Sequence, residues 1–209
     1  MYNLIARDAE LELLPCLRKL GISFYAYNPL GGGLLAGRYE YSQGDINRKE
    51  DIPQGRFTAP PVVGDLYRER YWEKTIFEAI GIIKQAINDY NEQNQSNLTL
   101  TEVAFRWSNY HSKLSGQYGD AILMGSSKPE YLIANTKFLA LESPLPESIL
   151  YWRLNQVINI VNRTLHVIGQ YLKNSEPFSW HFLCRYWNSY LFVCLISYYC
   201  SFFSLHRKL

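Results

Sequence analysis

Only two stretches of this 209-residue chain read as buried strands, and they lie far apart. The first is Ile22-Ser23-Phe24-Tyr25-Ala26-Tyr27, rich in β-branched and aromatic residues and closed by an Asn28-Pro29 turn signal. The second is Asp120 to Met124, DAILM. Helical patterns separate them, which argues for α/β architecture with parallel strands. Two parallel strands cannot close a barrel, and a lone pair leaves its edges open. No internal repeat supplies further strands. The chain therefore reads as part of a larger sheet.

The remaining elements follow from apolar spacing and end signals. Residues 7–20 read as an amphipathic helix with Leu13, Leu14, Leu17 and Leu20 on one face, kinked at Pro15 and ended by Gly21. Residues 29–66 are rich in glycine and proline and read as one long functional loop. A helix is predicted over 67–92, with Ile76, Ile80, Ile83 and Ile87 on one face. Thr99 and Glu102 read as a capping box opening a helix to about Tyr110. Ser127-Lys128-Pro129-Glu130 reads as a second capping box, with its helix running to about Leu141. After Pro144 and Pro146 a last helix is predicted over 147–161.

Composition narrows the partners. The chain is 47% hydrophobic and 19% charged, as globular domains are, and its net charge is +2 with no basic stripe. No nucleic-acid partner is expected. Its four cysteines form no CxxC pair and no His/Cys metal spacing, so they read as reduced thiols and no metal site is assigned. The N-terminus lacks a basic segment followed by an apolar run, so no signal peptide is read and a cytoplasmic location is expected. From about Asn162 the character changes: Trp180, Trp187 and three of the four cysteines fall there. Tyr186 to Leu205 is uncharged and long enough to span a bilayer, but Asn188 and several serines interrupt it. Residues 162–209 are read as an extension outside the core of residues 1–161, without a membrane partner.

Two motifs could carry chemistry. Tyr27-Asn28-Pro29-Leu30-Gly31-Gly32-Gly33-Leu34-Leu35-Ala36-Gly37-Arg38 follows the first strand. A strand-end aromatic can stack on a flat ring, and glycines let backbone amides approach an anion closely. A glycine-rich loop with a core tyrosine explains the same residues. Gly125-Ser126-Ser127-Lys128-Pro129-Glu130 runs from the second strand into a helix, where amides, hydroxyls and a lysine suit phosphate. An ordinary capping box explains those residues as well.

Two such strand-loop-helix sites in one chain bring a family into view. FYAYNPLGGGLLAGRY, GRF, LYRERYW, FRWSNYHS and GDAILMGSS, in that order and after ELLPCLRKLGI, resemble the aflatoxin-aldehyde (succinic semialdehyde) reductase branch of the aldo-keto reductases. The resemblance covers roughly residues 1–160. It implies an α/β fold, here the last two strands and C-terminal helices of a (β/α)8 TIM barrel, and hydride transfer from NADPH to an aldehyde. Tyr27 matches the tyrosine that stacks on the nicotinamide. Asn28 through Arg38 match the loop over the pyrophosphate, and Arg56 matches a cofactor-contacting arginine. Ser127 through Asn135, with Lys128 and Tyr131 between them, match the segment holding the adenosine 2′-phosphate and adenine. Tyr67 and Arg70 match residues facing the substrate, where an arginine can pair with a carboxylate.

The resemblance also implies absences. Lys128, Pro129 and Tyr131 stand where the branch more often has serine, leucine and glutamine, and Lys128 is read as strengthening the phosphate contact. The family's catalytic aspartate, tyrosine, lysine and histidine match positions upstream of Met1, so no catalytic residue is assigned here and the chain is expected to be a fragment without turnover. A homodimer is left open for the intact parent. His111, at a helix end, is read as an imidazolium cap. The competing reading is a non-catalytic cofactor-binding or regulatory subunit resembling potassium-channel β subunits.

Overall fold

The computed structural model describes residues 1–41 and 52–150. The chain divides into two units, Met1–Leu165 and His166–Leu209, and every described residue belongs to the first. The readings made for 162–209, and for the helix beyond residue 150, lie outside the described residues.

The strands are β1 (Tyr25–Tyr27) and β2 (Ala121–Leu123), and they pair in parallel as one sheet with Tyr25 opposite Ala121, Ala26 opposite Ile122 and Tyr27 opposite Leu123. Both are shorter than the apolar runs that announced them. They are also not buried on both faces. Ala26 is buried, whereas Tyr25, Tyr27 and Leu123 are 52%, 36% and 50% exposed. Side chains alternate along a strand, so register places Tyr25, Tyr27, Ala121 and Leu123 on one face. That face carries no covering layer among the described residues, although parallel sheets are ordinarily covered on both sides.

Five helices of eight residues or more are described: α1 (Leu13–Leu20), α2 (Val63–Tyr71), α3 (Lys74–Asn94), α4 (Leu100–Tyr110) and α5 (Pro129–Leu139). The expected 7–20 helix is shorter at its start, with a separate 3-10 turn at Asp8–Glu10. Pro15 falls in the first turn of α1, where its missing N–H costs little, so no kink is required. Leu14 is buried, but Leu20 is 64% exposed and does not share the inner face. Gly21 ends α1 with a left-handed φ of 65°.

The predicted 67–92 helix is two helices. Trp72, 7% exposed, breaks the run with φ −87° and ψ 54° and packs its ring 5.1 Å from Phe57 and 5.1 Å from Phe77. Burying that indole outweighs continuing the backbone ladder. Ile80, Ile83 and Ile87 do line the inner face of α3. The described parts of the 29–66 segment contain 3-10 turns at Gly31–Ala36 and Arg56–Thr58, and α2 begins within it at Val63.

The capping readings divide. Thr99 Oγ1 accepts from the Glu102 amide as expected, but the Glu102 carboxylate pairs with Arg106 and does not close the box. At α5 the N-cap is Lys128, without a side-chain cap, and Ser126 Oγ donates to the Lys128 carbonyl. There Pro129 at the first helical position starts the helix by its preset φ.

One buried carboxylate ties the two strands together. Asp120, its side chain 1% exposed, accepts from the amides of Phe24 (2.8 Å) and Ser115 (2.9 Å) and from Arg18 of α1. Burial pushes this carboxyl up, but Arg18 and the two amides more than offset it and hold it below the usual carboxylate range.

Candidate functional site

The end of β1 turns on Asn28, a non-glycine residue in the left-handed region at φ 65°. Its conformation is held from several sides: its carbonyl accepts from the Gly31 amide (3.1 Å) and Asn3 Nδ2 (2.9 Å), and its Oδ1 accepts from the Gly32 amide (2.9 Å). The chain then winds through Gly31, Gly32 and Gly33, all with positive φ. At Gly32 a Cβ would lie 2.7 Å from the Tyr67 ring, so glycine is required by space as well as by φ. Of the residues matched to the loop over the pyrophosphate, Pro29, Leu34 and Leu35 are buried, leaving their side chains to the core and only backbone to a ligand.

Arg38 leaves this loop exposed, its guanidinium 5.8 Å from the centre of the Tyr39 ring and donating to the Gln54 carbonyl at 2.8 Å. The turn at Arg56–Thr58 is anchored by Phe57, fully buried, and by Arg68 of α2, which donates to the Phe57 carbonyl and pairs with Asp65. Gly55 lies against Tyr39, and any Cβ there would collide with the Tyr39 hydroxyl. That hydroxyl is buried without a hydrogen-bond partner among the described residues.

The two motifs meet. Arg38, Gln54, Gly55 and Thr58 from the first loop and Ser127, Lys128 and Tyr131 from the start of α5 line one open cleft of about 500 Å³. Two cationic side chains, two hydroxyls and an aromatic ring face the same space, and the Lys128 ammonium lies 5.7 Å from the Tyr131 ring centre. This set suits a phosphate-bearing ligand with a flat ring. Arg56 is exposed and does not line the cleft, and Asn135 is buried, 6% exposed, within α5. Gln54 and Thr58 line the cleft without having been singled out from the sequence; only their place beside the glycine-arginine-phenylalanine motif signals them.

Tyr67 and Arg70 sit on α2, away from the cleft lining. The Tyr67 ring lies 6.3 Å from that of Tyr71, and Arg70 Nη1 approaches Met1 Sδ at 3.5 Å. Tyr71 itself is buried, and burial holds its hydroxyl protonated well above the ordinary tyrosine value although the bond from Asn3 pulls the other way. It is not a proton donor poised near neutral pH.

A model of the aldo/keto reductase family matches residues 1–149. The chain belongs to the aldo/keto reductase family. Among known aldo/keto reductases it is 40% identical over 161 residues to aflatoxin B1 aldehyde reductase member 2 of Rattus norvegicus, covering 77% of this chain and 41% of that protein. It is 41% identical over 150 residues to aldo-keto reductase family 7 member A3 of Homo sapiens, covering 72% of this chain and 43% of that protein. A fungal relative, aldo-keto reductase pigE of Monascus ruber, is 36% identical over 151 residues, covering 72% and 41%. The chain thus spans less than half the length of the curated relatives it matches.

His111 is corrected by the structure. It does stand at the C-terminal cap of α4, but its Nε2 accepts from the Leu145 amide at 2.9 Å, which requires the neutral ring. Burial, with Arg106 nearby, lowers its pKa below the usual histidine value. Cys16 is a free, exposed thiol, and no cluster of metal-ligating side chains occurs among the described residues. No helix among the described residues is long and apolar enough to cross a membrane.

Proposed function

We propose that this chain forms the dinucleotide-facing wall of an NADPH-dependent aldehyde reductase. The observation that carries the reading is the cleft in which Arg38 and Thr58 of the first loop meet Ser127, Lys128 and Tyr131 of the second. A bound NADPH would supply the hydride that reduces an aldehyde to an alcohol. The chain's residues bind and orient it. Lys128 and Ser127 hold the 2′-phosphate, Tyr131 lies beside the adenine, and Arg38 with the backbone of Gly31–Ala36 faces the pyrophosphate. Tyr27, exposed on the bare face of the sheet, stacks on the nicotinamide. Arg70, one turn from Tyr67 on the same helix, faces the substrate and favours an aldehyde that also carries a carboxylate.

The fold supports the same reading. The uncovered face of Tyr25, Tyr27, Ala121 and Leu123 is what the inner wall of a (β/α)8 barrel would present, with both loops at the strand ends where barrels place ligands. The resemblance places the proton donor in the part of the family fold that this chain does not match, and the buried Tyr71, whose hydroxyl is held protonated, does not replace it. Calorimetric titration of the purified chain with NADPH and NADH tests the binding, and an assay with NADPH and a nitrobenzaldehyde tests the chemistry. Binding that prefers NADPH, without turnover above a heat-inactivated control, is expected. Equal or absent binding of the two nucleotides refutes the assignment of the cleft, and clear turnover refutes the account of the proton donor.

A further inference from the structure

The hydroxyl of Tyr71 is the hub of a buried polar cluster that packing alone does not call for. Tyr71 is 2% exposed and Asn3 fully buried. The Tyr71 oxygen accepts from Asn3 Nδ2 at 3.1 Å and from Asn28 Nδ2 at 3.2 Å, and its proton goes to Met1 Sδ at 3.3 Å. One donor and two acceptor positions are all used. The amide orientations follow from the backbone: Asn3 Oδ1 accepts from the amides of Ile5 (3.1 Å) and Ala6 (2.9 Å), and Asn28 Oδ1 from that of Gly32. Each side-chain NH2 is thereby turned toward Tyr71.

A phenylalanine would bury as much apolar area at position 71 and need no partners. What the hydroxyl adds is direction. It fixes α2, which carries Tyr67 and Arg70, against the end of β1, which carries Tyr27. It does so through Asn28, whose left-handed backbone persists only if its surroundings over-determine it.

We propose that Tyr71 and Asn3 are positioning residues for the nicotinamide end of the site: they clamp Asn28, and through it set the Tyr27 ring and the Gly32 turn against the helix that bears Tyr67 and Arg70. The inference rests on the reading of Tyr27 as the nicotinamide contact. It assigns Tyr71 and Asn3 no contact with the adenosine cleft, which lies at Lys128 and Tyr131.

That separation supplies the test. Dissociation constants for NADPH and for 2′,5′-ADP, which carries only the adenosine end, are measured on the full chain by calorimetry. Tyr71→Phe keeps the ring and its packing, and is expected to weaken NADPH about tenfold, equivalent to about 1.4 kcal/mol, while 2′,5′-ADP changes less than about twofold. Asn3→Ala, which removes the clamp from its other side, gives the same split. Equal losses for both ligands would show a general loosening and overturn the positioning role, and so would no loss for either. If the unaltered chain binds NADPH no tighter than 2′,5′-ADP, the Tyr27 assignment itself fails and takes the inference with it.

Discussion

Replacing Asp120 should unfasten the two strands from each other and from α1. The carboxylate is 1% exposed and accepts from two backbone amides and from Arg18. Asp120→Ala leaves the Phe24 and Ser115 amides without their acceptor, at roughly 1–3 kcal/mol each. Arg18, with its side chain 18% exposed, keeps some access to water and to the Tyr118 ring 4.3 Å from its guanidinium carbon, so its own loss is partial. The sum is about 4 kcal/mol, within the roughly 3–5 kcal/mol typical of breaking a buried pair. Asp120→Asn keeps one acceptor oxygen, which serves only one of the two amides because the Phe24 amide donates to Oδ1 and the Ser115 amide to Oδ2, and should cost less than Asp120→Ala. The folded-state pKa of the native Asp120 is held below its unfolded value, so its contribution to stability is fully present above about pH 4 and lost as pH falls through the folded value. Urea unfolding followed by circular dichroism, at pH 7 and through the acid range, measures both. A loss under about 1 kcal/mol for Asp120→Ala at pH 7 would refute the argument. An acid limb unchanged in Asp120→Asn would refute the linkage.

Other expectations follow from the cleft and its supports. Lys128→Ala should raise the dissociation constant for NADPH about tenfold and leave that for NADH unchanged, as read by calorimetry; an equal change in both would make Lys128 only a surface charge. The Leu145 amide bond to His111 is worth about 1 kcal/mol, present above the unfolded pKa near 6.5 and lost as pH falls through the lowered folded value. His111→Ala should flatten that part of the stability profile, and an unaltered profile rules the bond out as its source. Gly32→Ala, at φ +71° with Tyr67 in the way, should cost more than about 2 kcal/mol by urea midpoint, and a neutral result would mean the turn is not as tight as described.

Local signals in the sequence located the strands, the parallel pairing and both loops, because β-branched runs, Asn-Pro and Pro at a helix start act within a few residues. What they could not show depended on distant partners. The long helix over 67–92 has unbroken periodicity, yet it divides because Trp72 finds Phe57 and Phe77. The strands looked buried on both faces because apolar residues fill both, and only the register shows that one face lacks a covering layer. In the candidate site, the two loops that line the cleft were legible as motifs, but the burial of Leu34, Leu35 and Asn135 was not. Nor was the role of Asn3, since nothing in Tyr2-Asn3-Leu4 announces a bond to a side chain 68 positions away.

The glycines that lie against tyrosines have a consequence for inheritance. Gly32 occupies the space beside Tyr67, and Gly55 the space beside Tyr39. Gly32 is held by its positive φ as well as by the ring, so no change at Tyr67 frees it, whereas at Gly55 the obstacle is the Tyr39 hydroxyl alone. Copies of this gene that diverge should therefore keep glycine at 32 whatever stands at 67, and should admit a side chain at 55 only together with the loss of the hydroxyl at 39.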